Sequence, residues 1–69
     1  MSTAEYTVTG MTCAHCERAI RDEVGQIPGV TAIDVDAATG RLVVTADAPL
    51  ADEAVLAAVD EAGYVAQRA

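Results

Sequence analysis

Two thiols and an imidazole stand within four residues of one another in Cys13-Ala14-His15-Cys16, preceded by Gly10-Met11-Thr12. A pair of cysteines separated by two residues brings two sulfurs to one side of a short loop. Such a pair can hold a soft cation as thiolates, or it can cycle between dithiol and disulfide. Structural zinc takes four ligands, and the whole chain offers two cysteines and one histidine. Cu(I) accepts two thiolates in a near-linear arrangement and prefers soft sulfur. The donor set therefore favours Cu(I), with Ag(I) and Hg(II) as chemical mimics. Met11 adds a thioether, a soft donor that more often fills core gaps than ligates. His15, next to Cys16 on a helix, points away from it, because adjacent helical residues do not share a face. It reads as a surface histidine; the other roles open to it are a third ligand when two copies share copper, and a proton-linked modulator.

The elements that must position these groups follow from hydrophobic period. Glu5 to Thr9 alternates with Tyr6 and Val8 on one side, a half-buried strand. From Ala14 to Gly25 the period lengthens: Cys16, Ile20, Val24 and Ile27 recur every three or four residues, one face of a helix. Gly25 and Pro28-Gly29 end it. Cys13 thus falls in the loop and Cys16 in the first helical turn. There the helix N-terminus carries roughly half a positive charge and favours a thiolate. Val30 to Asp36 and Arg41 to Asp47 are two strands joined by a short turn ending in Gly40, an antiparallel hairpin. Pro49 marks a helix start; Leu50 to Ala62 is helical, with Val55, Ala58, Val59 and Ala62 inward. Gly63 ends it, and Tyr64 to Gln67 is a last short strand. The order β-α-β-β-α-β predicts a ferredoxin-like α+β sandwich, two helices on a four-stranded antiparallel sheet. One domain over residues 1–69 is expected from the length.

Charge narrows the partners. Eleven acidic residues face four basic ones, a net charge of −7. Nucleic acid needs a cationic patch, and an anionic membrane surface would repel the chain. A basic protein patch or a cation remains. Arg18 and Arg21, amid Glu17, Asp22 and Glu23, read as a solvated face of the first helix, and Asp52, Glu53, Asp60 and Glu61 as that of the second. The N-terminus has neither the basic nor the apolar region of a secretory signal, and no run reaches the length of a membrane helix, so cytoplasmic residence with reduced thiols is expected.

Gly10-Met11-Thr12-Cys13-x-x-Cys16 after a first strand, then a helix, Pro28-Gly29-Val30 and Gly63-Tyr64, resembles the heavy-metal-associated domain from Glu5 to Gln67. His15 and Tyr64 resemble the bacterial cytoplasmic copper chaperones of the CopZ type within that family. The resemblance implies Cys13 and Cys16 as metal ligands, Met11 packed beneath the loop, Thr12 and His15 beside it, and Tyr64 approaching from the second helix-to-strand junction. Tyr64 would shield the metal or tune its exchange; as a large residue it would otherwise simply cap a core without phenylalanine. Delivery of Cu(I) to the amino-terminal metal-binding domains of a copper-exporting P-type ATPase is the implied role, with no catalysis. Some relatives give copper to a copper-sensing repressor instead, and copper-bridged homodimers fit two pooled CxxC loops. A thiol–disulfide oxidoreductase using the same pair, a mercury-binding domain of the same fold and a metal-binding domain of a larger ATPase are the competing readings. The self-contained ends, Met1 and Ala69, favour the free chaperone.

Overall fold

A computed structural model of the chain describes residues 2–11 and 14–69. These form β1 (Ser2–Thr9), α1 (Ala14–Val24), β2 (Val30–Asp36), β3 (Arg41–Ala46), α2 (Asp52–Glu61) and β4 (Val65–Arg68). The strands make one antiparallel sheet in the order β2-β3-β1-β4, the predicted ferredoxin-like arrangement. Inward residues of β1 and β3 alternate as the period-2 reading requires: Ala4, Tyr6 and Val8 on one strand, Leu42, Val44 and Ala46 on the other. Cys16, Ile20 and Val24 of α1 and Val55, Ala58 and Val59 of α2 cover that face. Ile27 and Ala62, expected fully inward, are half-buried at the margin, as is Ile33 on the edge strand β2.

Several boundaries differ from the sequence reading; α1, β3 and α2 each end one residue earlier. β1 begins at Ser2 rather than Glu5, because Ser2–Ala4 pair with Ala46–Val44 and so extend the ladder past the strongly alternating segment. α2 begins at Asp52 rather than Leu50. Ala51 at its N-cap is extended and supplies no side-chain cap, and Asp52 and Glu53 place negative charge in the first turn instead. β4 is shifted to Val65–Arg68, because Tyr64 belongs to the helix end. There Gly63 takes φ +95°, its N–H donates to the Asp60 carbonyl at 2.9 Å and the Tyr64 N–H to the Val59 carbonyl at 3.1 Å. This is the Schellman geometry, which only glycine enters without strain.

The register gathers three connections at one end of the molecule. β1 ends where β3 begins, with Thr7 opposite Arg41, and β4 begins opposite Thr9. The end of β1 with Gly10, the β2–β3 turn and the α2–β4 turn therefore lie together.

Candidate metal-binding site

Cys16 lies in the first turn of α1, on the same stripe as Ile20 and Val24, and is 8% exposed. Met11, also 8% exposed, joins it in the core. Cys16 is enclosed, because the helix stripe that carries it is the one that faces the sheet. Cys13 and Thr12 lie outside the described residues. His15 is exposed on α1, off that stripe, as the one-residue offset from Cys16 requires.

Tyr64 reaches the same end from the other half of the fold. A β-carbon at Gly10 would stand 3.5 Å from its Cδ1, so the ring edge rests against the glycine that opens the motif. Gly10 has φ +96°, a conformation L side chains rarely adopt. The glycine thus serves the turn out of β1; toward the ring, a β-carbon there would make only an ordinary van der Waals contact. Tyr64 is half-buried and packs on the core.

Two side chains read as solvated do more than that. Glu17, the residue after Cys16, accepts the Ala37 N–H on Oε2 at 2.7 Å. The bond spans from the first turn of α1 to the β2–β3 turn, where Ala38 N–H also bonds Asp36 Oδ1 at 2.9 Å. Arg21 donates through Nη1 to the Ile33 carbonyl at 2.9 Å, tying α1 to the edge strand β2. An isolated carboxylate in a mixed-charge helix carries no sequence signal for a backbone partner twenty residues away. Arg18 is exposed, as expected.

Asp52 is exposed as expected, but it also takes partners. Its Oδ1 accepts from the Tyr6 hydroxyl and from Arg68 Nη1, each at 2.9 Å. Burial, and then the Asp52 hydrogen bond, hold the Tyr6 phenol above its ordinary value near 10.

Among the described residues no three His, Cys, Asp or Glu side chains converge as a metal cage. No helix among them is long and apolar enough to cross a membrane.

The family model for the heavy-metal-associated domain matches residues 5–65. The chain is 36% identical to the copper chaperone CopZ of Bacillus subtilis over 58 residues, 83% of this chain and 84% of that one. It is 39% identical to copper-transporting ATPase 2 of Rhizobium meliloti and 42% identical to a zinc/cadmium/lead-transporting P-type ATPase of Shigella sonnei. Each of those matches takes in 86% of this chain but spans only 7% and 8% of the ATPases' own length. Among solved structures, a CopZ metallochaperone superimposes with a TM-score of 0.88 at 31% identity, over 96% of this chain and all of that one.

Proposed function

The chain belongs to the heavy-metal-associated domain family, and we propose that within it this protein is a copper chaperone that carries Cu(I) on Cys13 and Cys16 and passes it to the metal-binding domains of a copper-transporting P-type ATPase. The observation that carries the reading is the similarity, over 83% of this chain and 84% of the other, to the copper chaperone CopZ of Bacillus subtilis, with the Gly10–Cys16 motif falling between β1 and α1 in sequence. The donor chemistry supports the metal: two thiolates suit Cu(I), whereas a zinc site would need ligands from elsewhere. The matches to a zinc/cadmium/lead ATPase make zinc the rival to exclude.

Transfer runs by ligand exchange. A thiol of the partner loses its proton and forms a Cu–S bond, giving a three-coordinate copper shared between the two proteins. One Cu–S bond of this chain breaks, and the freed thiolate takes up a proton. A second exchange of the same kind completes the transfer, and copper remains Cu(I) throughout. Met11 fills the space beneath and keeps the helix start fixed; Tyr64 limits approach from the α2–β4 side. The chain's charge of −7 favours a docking surface with basic residues.

The test mixes the Cu(I)-loaded chain with a purified metal-binding domain of a copper-transporting ATPase and follows copper by rapid separation. Copper moving to the domain much faster than it leaves for a solution chelator of equal affinity supports direct exchange. Equal rates would mean that the metal passes through solution and that this chain is a store rather than a chaperone.

A further inference from the structure

Tyr64 stands between the Gly63 turn, where its N–H bonds the Val59 carbonyl, and β4, and β4 is a weak element. Among the described residues it has one strand neighbour, β1, and four paired positions. Short edge strands fray, and a one-residue slip reverses which side chains face the core. A slip here would exchange Ala66 for exposed Val65 and draw Tyr64 away from Gly10.

The far end of β4 is fastened by something other than its ladder. Arg68 stands opposite Tyr6 in the register, so both side chains take the helix-covered face. Tyr6 is fully buried, and its hydroxyl finds an acceptor in Asp52, the first residue of α2. Arg68 lays its guanidinium 5.4 Å from the centre of the Tyr6 ring and donates to the same Asp52 oxygen. The Ala69 N–H adds a bond to the Glu5 carbonyl at 3.0 Å. α2 and β4 are thus joined twice, by the Gly63 turn at one end and by the Asp52–Arg68 pair at the other. Tyr6 pins that second joint to the central strand β1.

We propose that Asp52 and Arg68 are positioning residues for Tyr64: their pair, seated on Tyr6, holds β4 in register and so keeps the Tyr64 ring against Gly10 at the root of the metal loop. A buried phenol needs an acceptor, and Asp52 serves it only where α2 begins, which fixes the latch to one register. The functional side of the proposal, that the ring held there slows access to bound copper, rests on the copper-binding reading. The structural side does not.

The experiment compares Arg68→Gln, Asp52→Asn and the double variant with wild type. Metal-free protein is examined first, by amide hydrogen exchange and by the ring NMR signals of Tyr64. Each single variant should shift the Tyr64 ring signals and raise exchange at Val65 and Ala66 by about threefold, leaving β2 unchanged, because a half-exposed pair contributes modestly and locally. The protein loaded with Cu(I) alone is then challenged with a chromophoric chelator in excess, and removal should be about threefold faster in the single variants. The double variant should be no faster than either single one, since the two residues act as one pair. Unmoved Tyr64 signals, with faster exchange confined to residues 68–69 or spread evenly over all strands, would overturn the proposal. So would additive effects in the double variant. If Asp52→Asn does not fold, Arg68→Gln decides by the same readouts. If wild type does not hold Cu(I), the copper reading fails, while the exchange and ring signals still decide the latch.

Discussion

His15 and Cys16 are neighbours with opposite fates, one exposed and one enclosed, and the 100° between successive helical residues is the reason. That offset turns the histidine away from any metal on Cys16. His15→Ala should leave Cu(I) affinity within about twofold, the range of an exposed substitution; a tenfold loss in a competition titration would make His15 a ligand. Tyr6 shows the opposite case, a residue whose polar tip matters inside the core. Its folded-state value lies above the unfolded one near 10, so the neutral phenol contributes stability that is complete below pH 10. That contribution falls as pH rises from about 10 through the raised value, because the unfolded state then binds fewer protons than the folded one. Alkaline unfolding monitored by circular dichroism should steepen in that window for wild type and lose that component in Tyr6→Phe. Identical profiles would exclude the buried phenol as its source.

At the scale of elements, much of the architecture was written in period. The alternation of Tyr6 and Val8, and of Leu42, Val44 and Ala46, and the stripe Cys16-Ile20-Val24 each reappear as buried faces. Gly10 and Tyr64, both singled out by their motifs, come together at one end of the fold. What was not legible depends on partners distant in sequence. Ser2–Ala4 become strand because β3 is there to pair with them. Glu17 and Asp52 take specific partners because Ala37 and Tyr6 offer donors that no local pattern announces. The glycines at the turns make this testable. At Gly40, with φ +74°, a β-carbon would sit 2.8 Å from the Val8 carbonyl oxygen, whereas at Gly63 nothing stands within 4 Å. Gly63→Ala should cost about 1–2 kcal/mol from its left-handed backbone alone. Gly40→Ala should cost more, since it adds a backbone collision. Urea unfolding would check the order, and equal losses would contradict the close approach of β1 to that turn.

For the whole molecule, excess negative charge is the main influence outside the core. Eleven carboxylates and four arginines leave −7, and among the described residues the ion pairs are the half-exposed Arg41–Glu5 and Arg68–Asp52. Self-repulsion of this size opposes compaction and is screened by salt. The melting temperature should therefore rise between about 10 mM and 0.5 M salt, where the Debye length shrinks from roughly 30 Å to a few ångströms. A fall over that range would mean that attractive pairs outweigh the excess charge.

Transfer to any partner requires that this small acidic domain first hold a single Cu(I) on two thiolates. Competition titration of the reduced protein against a chromophoric Cu(I) chelator tests that step, with Cys13→Ser, Cys16→Ser and zinc as rival metal. Wild type should withdraw one equivalent of copper from the chelator, neither serine variant should do so, and zinc should not displace the bound copper. Copper left on the chelator by wild type, or withdrawn from it by either serine variant, would contradict a two-thiolate copper site.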